Sequence, residues 1–411
     1  MMSIESSFFK DNREAFLDRL PEGTAVFIFA GVPRQMTQDS DYRFLPDRNF
    51  YYLTGIEVPS CKLILLKKDG EEKVMLFVPP KDDMTERWHG KRKTPEEYAA
   101  ISGIAVDDIY LERDFDDRKY EILKGGYKAS YDGTAVSDIN KQFMLTEEAV
   151  LDIGEILTRM RMVKKPCEIE AIRKAAVITE EALSDMKKSI SEGVSEYTLF
   201  TELTYQMARR GTLIPAFETI VAIDDNAFYL HHSDPDGEDG PLVRKGGQIQ
   251  IDVGARVDGY CADISRAYLI GGPTGGDDKR FKLLELIRRL RSEVLSFVKP
   301  GVTWVSLNER IRAVAGVWLK ENGLLEGEVT DEDVKRYYWH NTGHHLGLDV
   351  HDISIRALPF EAGNCLAIEP GVYIPEWHVG FRIEDDVLVT ENGCEYISSG
   401  NDDLSDVLVE I

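Results

Sequence analysis

Paired cysteines, membrane-length apolar runs and surplus positive charge are all missing from this 411-residue sequence. Its five cysteines (Cys61, Cys167, Cys261, Cys365, Cys394) lie far apart with no C-x-x-C pair, which argues for packed, reduced thiols in a cytoplasm. No window reaches eighteen apolar residues, so no membrane span is expected. The opening MMSIESSFFKDNREAF has no basic start followed by an apolar stretch, and does not read as a signal peptide. Lys plus Arg total 49 against 73 Asp plus Glu, a net charge of −24, which disfavours binding nucleic acid or an anionic membrane by charge alone. What is present, 43% hydrophobic and 30% charged residues, is ordinary for a soluble globular chain long enough for two domains.

Strand and helix signals alternate over the first part of the chain. TAVFIFAG (24–31) reads as a short buried strand, and CKLILLKKDGEEKVMLFVPP (61–80) as a hairpin turning at Asp69–Gly70. TPEEYAAIS (94–102) starts a helix with Thr94 as cap, Pro95 at its first position and Glu97 completing a capping box. A helical tract is expected from about 146, broken at Pro166 and restarted over 164–190. The boundary is placed near 158–164, giving an N-terminal α/β domain at 1–160 and a second domain at 161–411 with no Gly/Ser-rich linker. The second domain repeats one order twice: helices at 164–190 and 195–210 before strands at 215–270, then helices at 278–299 and 303–322 before strands at 340–399. This is an α+β architecture with a pseudo-twofold repeat.

Four of the eight histidines fall in WHNTGHHLGLDVHD, residues 339–352. His340 and His344 stand four apart, as two zinc ligands on a helix would, but Gly343, Gly347 and Val350 favour an extended or looped segment. Acidic residues accompany them from elsewhere. In GGQIQIDVGARVDGYCADISRAY (246–268) Asp252 lies on the polar face of a strand, and a turn at Asp258–Gly259 pairs Asp252 with Ser265. Asp263 is then expected diagonal to Asp252, with Cα atoms roughly 7–8 Å apart. Glu369 stands alone in the apolar run NCLAIEPGVYI (364–374). In GFRIEDDVLVT (380–390) Arg382, Glu384 and Asp386 share one strand face, and Phe381, Ile383 and Val387 the other. Converging carboxylates are costly in a half-buried sheet unless cations offset them. Four acids balance two divalent ions, and oxygen ligands with one imidazole suit Mn²⁺, Co²⁺ or Fe²⁺ better than structural zinc. Paired metals about 3.5–4 Å apart support metal-assisted hydrolysis.

At these residues the sequence resembles the pita-bread metallopeptidases, most closely the Xaa-Pro aminopeptidases (aminopeptidases P). The family pattern D…D…H…E…E falls on Asp252, Asp263, His344, Glu369 and Glu384, and the string from His340 to Asp352, IEPGVYI and RIEDD match as well. DSDYRFLPDRNFYYLTGIEVP (39–59) and ERWHGKR (86–92) resemble the N-terminal domain shared by creatinases and aminopeptidases P, which methionine aminopeptidases lack. The resemblance implies a cytoplasmic, dinuclear enzyme acting on peptides with proline second. Its metal would be Mn²⁺ first, with Co²⁺, Fe²⁺ or Zn²⁺ as alternatives, and the chain would assemble as a homodimer or homotetramer. The N-terminal domain would shape the cleft and support assembly. It further implies that His340 and His351 hydrogen-bond the substrate carbonyl or tetrahedral intermediate, that His231 lies near the scissile bond, that Arg382 orients carboxylates or substrate, and that Glu369 is also the general base.

Three departures stand out: Asn341 where relatives have glycine, Ser265 where threonine is common, and His345 where an aromatic is frequent. None is expected to touch a ligand. His345 and His232 are expected as packing or rim, and His89 and His378 as surface or subunit contacts. Asp385 should point away from the metals, and Asp386 should lie one contact removed from them or in solvent. Trp88 belongs either to a neighbouring subunit's cleft or to the core. A prolidase restricted to Xaa-Pro dipeptides is the runner-up, and a pita-bread module that binds peptide without catalysis is a third reading.

Overall fold

Two Asp-Gly dipeptides set the hairpins from which the rest of each unit is built. Asp69 and Gly70 have φ of 55° and 77°, and Asp258 and Gly259 have 48° and 83°. Both turns therefore carry the two successive positive φ angles of a type I′ turn, whose twist matches that of the flanking strands. The computed structural model describes residues 4–134, 151–273, 277–400 and 407–411. Its contacts divide the chain after Met160.

In the first unit, β1 (Thr24–Phe29), β2 (Lys62–Lys68), β3 (Glu71–Val78), β4 (Ile109–Leu111), β5 (Lys128–Tyr131) and β6 (Leu151–Asp152) form one mixed sheet in the order β4-β3-β2-β1-β5-β6. The hairpin pairs Lys68 with Glu71, the register the turn requires. Phe27, Phe29 and Phe77 each pack edge-on against Phe115 on one face of that sheet. The helix Arg48–Thr54 is fixed at both ends by side chains. The Asp47 carboxylate accepts from the Asn49 and Phe50 amides at 3.0 and 3.3 Å, and Asn12 and Arg13 donate to the Tyr52 and Leu53 carbonyls at 2.9 and 2.7 Å. The capping box at Thr94 is present as read, on the helix Pro95–Ser102.

Two expectations for this region need correcting. The tract thought helical from 146 includes the strand β6, and its helix starts only at Gly154; residues 146–150 lie outside those described. Asp152 explains the late start, because its carboxylate accepts from the Gly154 amide at 2.8 Å and turns the chain there. Trp88 is 80% exposed, so it is not a core residue.

The second unit contains two halves of similar order. The helices Pro166–Lys187 and Glu196–Arg209 precede β7 (Ile220–Ile223), β8 (Gln248–Val253), β9 (Arg256–Val257), β10 (Tyr260–Cys261) and β11 (Ile264–Ile270). The helices Lys279–Phe297 and Trp304–Glu321 precede β12 (Gly343–His345), β13 (Cys365–Ile368), β14 (Gly371–Ile374), β15 (Val379–Arg382), β16 (Asp385–Val389) and β17 (Cys394–Tyr396), with β18 (Leu408–Val409) last. Each half has a four-stranded sheet, β18-β11-β8-β7 or β12-β13-β16-β17, and a two-stranded ribbon, β9–β10 or β14–β15. Each long hairpin is thus interrupted on both arms where it passes from sheet to ribbon. In the first half the breaks fall at Gly254–Ala255 and Ala262–Asp263; in the second, at Glu369–Pro370 and Ile383–Glu384. A Cβ on Gly254 would lie 1.8 Å from the Ala262 carbonyl oxygen, so only glycine permits the approach at the first break.

The segment that carries His351 is tied down by a buried ion cluster. Asp352 pairs with Arg161, and with Lys164 at 2.9 Å, while its amide donates to the His345 carbonyl at 2.9 Å. Burial alone would raise the Asp352 carboxyl, but the two cations outweigh it and hold it down at about 2. Asp352→Asn removes the anion between two buried cations, leaving Lys164 without its carboxylate and Arg161 with Asp349 at 3.6 Å, so it should cost about 3–5 kcal/mol in chemical or thermal unfolding. A carboxyl held below its unfolded value of about 3.9 stabilises above that pH and loses the contribution as pH falls toward 2. The gap between wild type and D352N should therefore be full near neutrality and close below about pH 4; a gap independent of pH would contradict this account.

Candidate metal centre

Register brings the acids of the first half together. Asp252 pairs with Ser265 and Tyr260 with Val257, as the turn at Asp258–Gly259 dictates. Asp263 stands just outside the ladder, at the break before β11, rather than within a continuous strand. The segment from Arg382 to Asp386 also differs from the single strand expected. Arg382 ends β15 in the ribbon, Asp385 begins β16 in the sheet, and Glu384 occupies the junction. There its amide donates to the Ser265 carbonyl at 3.1 Å and its carbonyl accepts from Arg266 at 2.6 Å. Glu369 occupies the matching junction on the other arm, its amide bonded to the Thr342 carbonyl at 2.9 Å. Four carboxylates therefore sit where hairpins leave their ladders or immediately beside that point, and β12 brings His344 alongside.

His344 Nε2 lies 3.3 Å from Asp263 and 3.9 Å from both Glu369 and Glu384. Ligand atoms of Asp263, His344 and Glu384 all fall within 4.8 Å of one another. His344 Nδ1 is 3.1 Å from the His345 carbonyl, so Nδ1 carries the proton and Nε2 offers its lone pair to the acids. His340 is placed by three contacts: Nδ1 lies 2.9 Å from the Asn341 carbonyl and 3.4 Å from Glu369, and Nε2 lies 3.1 Å from the Tyr373 hydroxyl. The His351 ring packs 4.0 Å from that of His344. His231 is exposed on a loop and faces the same cleft of about 800 Å³ as His340, His344, His351 and the four acids. Gly371 makes room for His340, since a Cβ there would lie 2.7 Å from its Nε2.

Burial pushes the Asp263 and Glu384 carboxyls well above the ordinary carboxylate range, and neighbouring acids push further, Asp252 foremost on Asp263 and Asp263 foremost on Glu384. Burial likewise raises Glu369 to about 6. Burial lowers His340 to about 4, and partial desolvation within the cleft, with His344 beside it, lowers His351 to about 4, so both are neutral at physiological pH. Arg382 pairs with Asp252 and donates to the Ser265 hydroxyl at 3.0 Å. One guanidinium cannot balance four acids. Asp252 Oδ1, Asp263 Oδ1 and Glu384 Oε1 are buried and have no hydrogen-bond partner among the described residues. Buried oxygens in that state require either protons or cations. The donor set, carboxylates with one imidazole presenting a free Nε2, fits divalent ions.

Other expectations fall out unevenly. Ser265 does touch a candidate ligand, contrary to the reading of the sequence: its hydroxyl donates to Glu384 Oε2 at 2.9 Å. Asp386 is fully buried rather than solvated, and it accepts from the Asp263 amide at 3.2 Å. Asp385 turns away to Arg266 at 3.0 Å and to Arg291. His345 is buried and packs edge-on against Trp304. His378 is exposed and pairs with Asp225 at 2.9 Å. Tyr373 was not singled out from the sequence, yet its buried hydroxyl lies between His340 and Arg382. The only signal was a lone hydroxyl-bearing aromatic in the run GVYI.

A two-half unit whose seam gathers acids and one imidazole defines a metallohydrolase-type centre, and comparison with known proteins gives its family. Residues 170–391 match the profile of Metallopeptidase family M24, and residues 9–130 match that of the Aminopeptidase P, N-terminal domain. The chain belongs to metallopeptidase family M24. It is 27% identical over 430 residues to the Xaa-Pro aminopeptidase of Escherichia coli K12, covering 97% of this chain and 96% of that protein. It is 29% identical over 356 residues to the Xaa-Pro dipeptidase of Pyrococcus furiosus, covering 85% and 90%. Among solved structures, zinc-substituted E. coli aminopeptidase P in complex with product superposes with a TM-score of 0.86 at 25% identity, covering 97% of this chain and 96% of that one. The pita-bread architecture and its N-terminal α/β companion are therefore as expected from the sequence.

Chelation should lower the unfolding temperature, because it leaves buried acids without counter-ions, and added Mn²⁺ should restore it. At about a hundredfold excess over the dissociation constant, linkage predicts about 2.7 kcal/mol. An unfolding temperature indifferent to both treatments would mean that no metal is held there.

Proposed function

We propose that the chain is a Xaa-Pro aminopeptidase that releases the N-terminal residue from peptides with proline second. The observation that carries this reading is the convergence of Asp252, Asp263, His344, Glu369 and Glu384, with buried oxygens left unpaired, in one cleft. These five residues would hold two divalent ions, Mn²⁺ first, since hard oxygen donors predominate. When bound, such a pair supplies Lewis acidity, which polarises a carbonyl and acidifies water.

The chain's own side chains do the rest. Neutral His351 donates a hydrogen bond toward the oxygen on which charge develops, His340 faces the same cleft with its N–H given to the Asn341 carbonyl and its Nε2 accepting from the Tyr373 hydroxyl, and His231 approaches from the exposed side of the cleft. Glu369 accepts the proton of the attacking water. Arg382 and Ser265 hold Asp252 and Glu384 in place. Phe217, Leu230 and Val350 supply an apolar wall for the pyrrolidine ring, which brings no amide N–H and needs no acceptor there. The match of residues 9–130 to the aminopeptidase P N-terminal domain favours this reading over a dipeptidase, although a dipeptidase relative exists. None of the five cysteines is joined in a disulfide, which supports a cytoplasmic setting. The exposed Trp88 and Met84, on the helix Asp83–His89, offer apolar surface for assembly into a homodimer or homotetramer.

Purified protein supplied with Mn²⁺ should cleave Xaa-Pro-Xaa peptides; turnover of Xaa-Pro dipeptides alone would make it a prolidase, and turnover of neither would leave a binding module. Asp263→Asn and Glu384→Gln should each abolish turnover and reduce the bound metal measured by elemental analysis. Wild-type rate and metal content in either variant would refute the shared role of these acids.

A further inference from the structure

The loop that carries His231 is anchored by a carboxylate no part of the proposed chemistry uses. Glu196 is the first residue of the helix Glu196–Arg209 and is wholly buried. Its Oε1 accepts from the Ile223 amide at 2.6 Å and from Asn226 Nδ2 at 2.9 Å. Its Oε2 accepts from His232 Nε2 and from the Asp236 amide, each at 2.8 Å. A carboxylate offers about four acceptor sites, and all four are taken by groups within 223–236. Asn226 also donates to Asp236 at 2.9 Å, closing the loop on itself. On the opposite side the Leu230 carbonyl accepts from Arg382 at 3.3 Å, and Arg382 is paired with Asp252.

Glu196, His232 and Asp236 have the composition of a metal site, but hydrogen bonds already use every Glu196 lone pair. The arrangement instead fixes a loop between two anchors, one buried acid and one arginine. His231 lies between them, adjacent to His232, and is itself exposed to the cleft. We infer that Glu196, acting through His232 and the loop backbone, is the positioning residue for His231. This rests on the hydrolase reading above, in which His231 meets the substrate.

A positioning role makes a specific demand: disturbing Glu196 should matter only while His231 is there to be positioned. Glu196→Gln puts an amide NH₂ opposite two donors. In metal-saturated enzyme, E196Q should lower kcat on a Xaa-Pro-Xaa peptide by about 10- to 100-fold, with bound metal unchanged. In the H231A background the same change should cost less than about twofold, because the group it serves is gone. Losses that multiply across the two sites, or an E196Q rate within twofold of wild type, would overturn the inference. Should E196Q not fold, His232 gives the same test. H232L removes one donor and should show the same non-additivity with H231A, and H232Q, whose amide nitrogen replaces Nε2, should recover most of the rate; equal losses in H232L and H232Q would overturn the assignment. Wild-type protein inactive on every Xaa-Pro peptide would instead remove the functional reading, and this inference with it.

Discussion

Like charge forced into a small, dry volume is the constraint around which the second unit is arranged. Asp252, Asp263 and Glu384 are buried within reach of one another, and each keeps an oxygen with no partner among the described residues. Nothing in a hydrophobic core favours that arrangement, and one arginine does not neutralise it. The surrounding residues can be understood as its supports: Ser265 holds a Glu384 oxygen and Arg382 an Asp252 oxygen, the His345 carbonyl fixes the His344 tautomer, and Asp386 accepts from the backbone of Asp263.

A second theme is that two histidines facing the cleft are exposed while their anchors are not. His351 and His231 are accessible, but Asp352 and Glu196 beside their segments are sealed among cations or amide donors. Buried polar clusters of this kind are rigid because each missing partner would be costly. Accuracy at the cleft is thus derived from carboxylates that are themselves closed to solvent.

Much of this was legible in the sequence because the signals were local. Asp258–Gly259 fixes a turn, the turn fixes register, and register alone pairs Asp252 with Ser265. The capping box at Thr94 and the repeated helix–helix–sheet order were readable in the same way. The ligand set itself came from resemblance, since no periodicity joins residues 252 and 384. What could not be read depends on events far apart along the chain. RIEDD looks like one alternating strand, but its interruption exists because Glu384 bonds to Ser265 and Arg266, more than a hundred positions earlier. The short step from threonine to Ser265 looked harmless for the same reason, as its contact with Glu384 arises only in the folded chain. Glu196 gave no sign at all, for an acid in the first turn of a helix is ordinarily a surface residue.

The interrupted hairpins have a bearing on biogenesis. Two of the acids come from one half and the remaining acids and the imidazole from the other, with the seam closed by the Ser265–Glu384 and Arg266–Glu384 contacts. During synthesis the first half emerges with only half a cage, unable to retain an ion with the full set of donors. With the proposed ligand set, metal capture would await docking of the second half, and a loaded centre would certify a domain that has finished assembling.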